Sequence, residues 1–375
     1  MFNLIEINKN AYLNNVSVFR NLLSSGSLMA VVKSNAYGHG LPEAVEILKG
    51  AVDWFGVNSI AEAKEIRKID SLTPILVMGM EDPSEYPFLT TEGGKSVRMT
   101  LSTENAIRKL NRTSPETSFH LKVDTGMSRL GLHGDELEKI FNYLEKNQDL
   151  PWEGMMSHFA NVEDVTDQSF AKHQLEKFHK VIERAKIAAG NRKILNHIAA
   201  SAASLVLPES RLDIIRVGIS LYGFWPSRQT KISSLSRFGE VPELKTVMTW
   251  RSRLVHTNRV PANSYIGYGC TERVVSETVV GVVPVGYFEG YDRSLSNRGY
   301  VLVRGYRARI LGRVCMNMIM ADVTHIPGVS AGDDVILFGK QGDEEITADE
   351  LAELAHTINY EIVSRIQKDI PRIIV

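Results

Sequence analysis

An α/β fold is predicted for this 375-residue chain, with an N-terminal (β/α)8, TIM-like barrel over residues 1–235 and a C-terminal, mostly antiparallel β domain over residues 236–375. Three observations carry the prediction. From residue 28 to about 220 the sequence alternates between a short apolar run, a polar break and a segment of helical spacing, eight times over. No Gly-x-Gly-x-x-Gly follows the first run, where Lys33-Ser-Asn-Ala-Tyr-Gly-His-Gly40 stands instead, so the competing open doubly wound sheet lacks its dinucleotide fingerprint. Beyond Ser233 the texture changes to runs rich in Val, Thr, Arg and Tyr, without long helices between them.

The expected barrel strands are Leu28 to Val32, Trp54 to Val57, Pro74 to Met78, Val97 to Leu101, Phe119 to Val123, Trp152 to His158, Ile194 to Ile198 and Leu212 to Val217. Between the sixth and seventh lies the most regular helical pattern, with Leu175, Phe178, Ile182, Ala185 and Ala189 on one face and Gly190 placed to end it. Trp225 to Pro242, with its two prolines, several serines and little periodicity, is expected to be the junction. The later strand-like runs are Leu244 to Val260, Thr278 to Tyr287, Tyr300 to Val323 and Asp334 to Phe338. A last helix over about Ala348 to Thr357 should open on Thr347, with Glu350 completing a capping box.

Composition excludes several classes of function. Apolar residues make up 43% and charged residues 23%, which argues against a fibrous chain or a long disordered tail. Lys and Arg number 43 against 44 Asp and Glu, a net charge of −1, so the broad positive field of a nucleic-acid binder is missing. Cys270 and Cys315 supply neither a disulfide scaffold nor a thiolate metal site; no metal is expected, and a reduced, cytoplasmic setting is. Glu6 interrupts the apolar run at the N-terminus and no 18 uncharged apolar residues follow one another, which disfavours export and membrane insertion.

In a barrel of this kind reactive groups sit at the carboxyl ends of the strands. Lys33 follows the first run, and desolvation or a neighbouring cation there would leave a neutral amine able to attack a carbonyl or take a proton. The plain alternative is a strand-end lysine reaching into water. Later strand ends carry Lys122, Asp124 and Arg129, then His158, Ser201, and Arg216 with Gly218. Loops after the seventh and eighth strands often hold a phosphate, which makes Ser201, Gly218 and Ile219 a candidate cup. Each group also has a structural reading: Ser201 as a helix cap, His158 as a bonded core histidine, and Arg216 as the partner of Asp213 or another barrel acid. A lysine amine plus a phosphate cup, without ligands at zinc spacing, points to pyridoxal 5'-phosphate held as a Schiff base.

Ten blocks in order then resemble one family. Ala30-Val-Val-Lys-Ser-Asn-Ala-Tyr-Gly-His-Gly40 is similar to the cofactor-lysine signature of the alanine racemase family. The others are Lys122-Val-Asp-Thr-Gly-Met-Ser-Arg-Leu-Gly131, Ser157-His-Phe-Ala160, Ser201-Ala-Ala-Ser204, Arg216-Val-Gly-Ile-Ser-Leu-Tyr-Gly223, Tyr268-Gly269, Gly286-Tyr287, Gly312-Arg-Val-Cys-Met-Asn317, Thr357-Ile-Asn-Tyr-Glu361 and Pro371-Arg372. The resemblance implies an isomerase that interconverts L-alanine and D-alanine on pyridoxal phosphate, supplies D-alanine for peptidoglycan, and works as a homodimer with active sites shared between subunits. It makes Lys33 the Schiff-base lysine and one base, and Tyr268, delivered by the partner subunit, the other. By the same carry-over Tyr37, Ser201, Gly218, Ile219 and Tyr360 surround the phosphate, Arg216 faces the pyridine nitrogen, and His158 sits beside the ring. Arg129 and the backbone of Met316 manage the substrate carboxylate, Tyr287 and Arg293 line the access path, and Lys122 matches a lysine that is carbamylated in some relatives and then holds Arg129.

The implied chemistry has a physical logic of its own. Inverting a stereocentre needs a proton acceptor on one face and a donor on the other, hence two groups. A guanidinium at the pyridine nitrogen leaves the ring neutral, whereas decarboxylases that resemble this fold place a carboxylate there and obtain a stronger electron sink. Two positions depart from the family pattern: Asn317 stands where many relatives have Asp, and Ala200 where many have Asn. Both bear on substrate identity, with serine as a slow substrate. The rival readings are a racemase for larger or basic amino acids, a decarboxylase of the same fold, and a cofactor-binding regulator without catalysis. Such a regulator would end near residue 230, and the C-terminal domain carrying Tyr268 argues against it.

Overall fold

The eight apolar runs become eight parallel strands in the computed structural model, which describes residues 2–375. With β1 as Leu4–Ile7, they are β2 (Ser27–Val31), β3 (Trp54–Val57), β4 (Ile75–Val77), β5 (Val97–Leu101), β6 (Phe119–Lys122), β7 (Trp152–Met156), β8 (Leu195–His197) and β9 (Ile214–Val217). Their side chains are buried on both faces in most strands, as parallel strands sheathed by helices require. Each pairs with its neighbour in sequence, and β9 returns to pair with β2, so that Met29 lies between Trp54 and Arg216. The Asp213 amide donates to the Asn196 carbonyl and the Arg216 amide to the Ala199 carbonyl, both at 3.0 Å, which brings the last two strands round to a near-closed barrel. Met29, Trp54, Leu76, Met156 and Ile214 pack together inside.

The long helix spans Ser169–Ala189, buries Leu175, Phe178, Ile182 and Ala185, and ends at Gly190, whose φ of 63° only glycine adopts without strain. The junction read as irregular from Trp225 to Pro242 contains a helix, Arg228–Phe238. Ser227 caps it by accepting from the Thr230 amide, and Gly239 closes it in the left-handed region. The expected strand to His158 stops at Met156, and Ser157 and His158 leave the ladder.

The second compact unit is built on a ten-stranded sheet. Its further strands, with the small β12–β13 ribbon, are β10 (Met248–Arg253), β11 (His256–Val260), β12 (Tyr265–Ile266), β13 (Glu272–Arg273), β14 (Thr278–Val283), β15 (Tyr300–Val303), β16 (Tyr306–Leu311), β17 (Ile319–Asp322), β18 (Asp334–Gln341), β19 (Glu344–Ile346) and β20 (Arg372–Ile374). All pairings are antiparallel except that of β1 with β20. Strand β1 thus belongs to this sheet, inserted between β10 and β20, although the division at residue 235 groups it with the barrel. Residues 35–43 also cluster with this unit, the rest of which is residues up to 9 and from 246 on. The late helix is Ala348–Ala355, and Thr347 accepts from the Glu350 amide as expected. The Glu350 carboxylate does not return to the cap; it pairs with Arg307, so half of the capping box is formed. Among the described residues no helix is long and apolar enough to cross a membrane.

Candidate active site

Lys33 stands at the carboxyl end of β2 and opens a single turn of left-handed helix. Ser34, Asn35, Ala36 and Tyr37 hold φ values of 56°, 55°, 52° and 53°. For residues with a Cβ this conformation costs roughly 1–2 kcal/mol each, and it persists only where the surroundings fix it. The Ser34 amide donates to Glu62 Oε1 at 2.6 Å, and Glu62 also takes the Asn58 amide at 2.7 Å. At the other end Asn35 Oδ1 accepts from the Leu41 amide at 2.9 Å. Burial, with Arg129 adding to it, lowers the pKa of Lys33 against the opposing pull of Glu62. The ammonium is therefore easier to deprotonate than an ordinary lysine.

Arg216, on β9, is 3% exposed and hydrogen-bonded only to neutral acceptors. Its guanidinium donates to His197 Nδ1 at 2.8 Å, Ser157 O at 2.7 Å, Ile198 O at 3.0 Å and His158 Nδ1 at 3.3 Å. The expected alternative, an ion pair with Asp213, is not formed; Asp213 accepts the Asn196 amide instead. Burial pushes Arg216 down to about 9, which leaves it cationic at neutral pH. Desolvation, then the charges of Arg216, Lys122, Arg129 and Lys33, hold His158 well below the ordinary histidine value, so its ring is neutral. Gln174, fully buried on the long helix, positions the His158 loop by donating to the His158 carbonyl and accepting from the Ala160 amide.

Ser201 does not cap the helix that it opens; Ala200 occupies that position without a side-chain bond. Ser201 Oγ instead accepts the Gly218 amide at 3.0 Å and ties together the loops after β8 and β9. Gly218 and Ile219 begin the short turn Ile219–Tyr222 beside it. Lys122, at the end of β6, is pushed down to about 7 by burial first, then by Arg216 and Arg129. Arg129 is exposed and lines a cavity of about 920 Å³ with Ser128, His133, Lys177 and Lys180. The barrel face therefore gathers Lys33, Lys122, Arg129, His158, Ser201, Arg216, Gly218 and Ile219, with the carboxylates of Glu62 and Asp124 among the cationic groups.

The remaining expected residues lie in the other unit. Tyr37 and Tyr360 meet there, with ring centroids 6.2 Å apart. Tyr268 is 73% exposed on a turn between Gly267 and Gly269, and a Cβ on Gly269 would come within 2.9 Å of the Arg313 guanidinium carbon. Tyr287 and Met316 share one pair of loops, joined by Tyr287 N–H to Cys315 O and Phe288 N–H to Met316 O, both at 3.0 Å. A Cβ on Gly286 would lie 2.3 Å from the Met316 carbonyl oxygen, so only glycine permits this approach. Asn317 donates to Glu289 Oε1 at 2.8 Å, a bond that an aspartate would replace with repulsion. Arg293 lines a cavity of about 410 Å³ with Ser294, Ser296, Arg298 and Arg313. The sequence reading missed His120, Glu153, His197 and Gln174, which sit inside apolar or helical patterns, and Arg298, an isolated surface charge, and it gave no role to Arg313 within its block.

A near-closed barrel with a strained lysine turn at its carboxyl face, joined to an antiparallel domain that carries exposed tyrosines, defines the class: a two-domain protein built on a (β/α)8 barrel. Two family models match, "Alanine racemase, N-terminal domain" over residues 7–226 and "Alanine racemase, C-terminal domain" over residues 247–374. The chain belongs to the alanine racemase family. It is 44% identical to the alanine racemase of Leptospira interrogans over 374 residues, covering 99% of this chain and 95% of the relative. It is 38% identical to that of Carboxydothermus hydrogenoformans, covering 99% and 98%. Among solved structures, alanine racemase from Streptomyces lavendulae superposes with a TM-score of 0.90 at 30% identity, covering 100% of this chain and 97% of that one. The enzyme from Bacillus anthracis with bound L-Ala-P gives 0.89 at 31% identity, covering 100% and 95%.

Proposed function

We propose that this enzyme interconverts L-alanine and D-alanine with pyridoxal phosphate, by two bases on a site shared between the subunits of a homodimer, and that its D-alanine goes to peptidoglycan. The observation that carries the reading is Arg216, a buried cation whose partners are carbonyls and imidazoles with no carboxylate among them. Such a group suits a neutral pyridine nitrogen as acceptor and argues against the decarboxylase reading. Ser201 with Gly218 and Ile219, and Tyr37 with Tyr360, would hold the phosphate, and the cationic barrel face suits its charge. When bound, pyridoxal phosphate supplies an aldehyde and an electron-withdrawing ring that acidifies the α-hydrogen of an amino acid.

Lys33, with its lowered proton affinity, accepts or returns the proton on one side of the substrate. Tyr268 of the partner subunit does the same on the other side. Arg129 and the Met316 backbone bind the substrate carboxylate. Tyr287 and Arg293 line the access path. Lys122, lowered to about 7 by burial and then by Arg216 and Arg129, gives up its proton more readily than an ordinary lysine, and its neutral amine could take up carbon dioxide as a carbamate with release of a proton, which would place a negative charge beside Arg129. Uptake of deuterium at the α-carbon of L-alanine, with and without added pyridoxal phosphate, tests the reading. Exchange that depends on the cofactor and is lost in Lys33→Ala together with the bound-cofactor absorbance is expected. A coloured protein that exchanges nothing would favour the regulator instead.

A further inference from the structure

The barrel core holds a chain of polar side chains that begins at Arg216 and ends at the opposite face. His197 and His120 are both fully buried, and His120 Nδ1 lies 2.7 Å from His197 Nε2. His120 Nε2 has no hydrogen-bond partner; the group it faces is Glu153 Oε2, 3.6 Å away and so in charge–dipole contact only, and Glu153 is itself paired with Arg98, whose Nε lies 2.9 Å away. Arg216 and His197 lie toward the carboxyl ends of β9 and β8, whereas His120 and Glu153 are the second residues of β6 and β7. The chain thus passes from the catalytic face of the barrel toward its amino end.

The direction of every bond follows from the donor inventory. A guanidinium only donates, so His197 Nδ1 accepts and bears no proton. A neutral His197 then carries its proton on Nε2 and donates it to His120 Nδ1, which leaves the His120 proton on Nε2, aimed at the Glu153 carboxylate. An imidazolium at either position would place two N–H groups against each other, so both rings are locked neutral and in the same tautomer. Gly154 secures the arrangement: a Cβ there would stand 2.7 Å from His120 Nδ1. Trp54 meets the His120 ring edge-on, with centroids 5.9 Å apart, and Arg98 lies over Trp54.

A buried cation with only neutral acceptors is costly, and here two hydrogen-bonded imidazoles run from it to within 3.6 Å of a carboxylate that Arg98 pairs from the other side. We propose that His197, His120 and Glu153 form a one-way relay of positioning residues that fixes the plane of Arg216 and lends it negative charge from the far end of the barrel. Its effect on the reaction rests on the pyridoxal phosphate reading above; the relay itself does not.

The test uses full-length protein labelled with 15N-histidine, measured by NMR with and without added pyridoxal phosphate, in wild type, E153Q and E153D. Two histidines should be pure Nε2–H tautomers that do not titrate from about pH 5 to about pH 8. In E153Q their bridging protons should shift, and kcat for alanine should fall about three- to tenfold with little change in KM, while E153D should retain most of both. An Nδ1–H tautomer at either histidine or unmoved signals in E153Q would overturn the relay, and an unchanged kcat in E153Q would overturn its effect on the reaction. If the tautomers and shifts are as stated but the protein binds no pyridoxal phosphate, the relay stands and the functional reading fails.

Discussion

Ser201 illustrates how one hydroxyl separates two readings. As a helix cap it would be replaceable at modest cost, but its oxygen accepts the Gly218 amide across two loops. Ser201→Ala leaves that amide without its partner, at about 1–3 kcal/mol, and should lower both the melting temperature and the affinity for pyridoxal phosphate measured by fluorescence titration. An affinity for pyridoxal phosphate equal to that of the wild type would remove Ser201 from the cup. Lys33 offers a prediction with a sign. Burial and then Arg129 lower its pKa, so Arg129→Gln should move it back up, and deprotonation should require more alkaline conditions. The rate of Lys33 labelling by an amine-selective reagent, followed against pH in cofactor-free protein, reads this without involving substrate. A profile that stays in place or moves to lower pH would contradict the assigned cause. Gly38 shows the backbone side of the same turn: a Cβ there would lie 1.9 Å from the Val363 carbonyl oxygen, and its φ is 84°.

At the scale of elements, the helix Arg228–Phe238 is fixed by its ends rather than by an apolar face. Only Thr230 and Ser234 are buried along it, so periodicity carries no signal, whereas Ser227 and Gly239 mark both termini. Ser227→Ala should cost about 1 kcal/mol from the lost cap, and Gly239→Ala about 1 kcal/mol from its φ of 75°, both read as shifts in the denaturation midpoint. Ser227 also bonds to the Glu163 carbonyl, so its loss should be the larger of the two. The barrel strands were legible because buried parallel strands are continuous apolar runs bounded by polar breaks. His120 and His197 were not legible as a pair: one histidine inside such a run has no period, and the partner of each comes from a strand 77 residues away. Strand β1 escaped for a related reason, since its four residues pair with β10, in the second half of the chain, and with β20, at its other end. The lysine turn was legible as a motif, but its left-handed backbone was not, because Ser, Ala and Tyr have no preference for that region.

For the molecule as a whole, the site residues divide between two compact units, with Lys33 in one and Tyr268 in the other. Tyr268 is 73% exposed, as a side chain offered to another molecule would be. On the shared-site reading, Lys33→Ala and Tyr268→Phe each inactivate a different half of the machinery. A mixed dimer then contains one barrel with Lys33 intact that receives an intact Tyr268 from its partner, and one barrel that lacks Lys33. Random exchange makes half of the dimers mixed, each with one competent site of two, so mixing the separately purified variants should restore about one quarter of wild-type turnover. Restoration should be slow if subunit exchange is slow, and faster after brief dissociation in mild denaturant. Two variants that remain as inactive together as apart, under conditions where mass spectrometry shows mixed dimers, would place both bases on the same chain and end the shared-site reading.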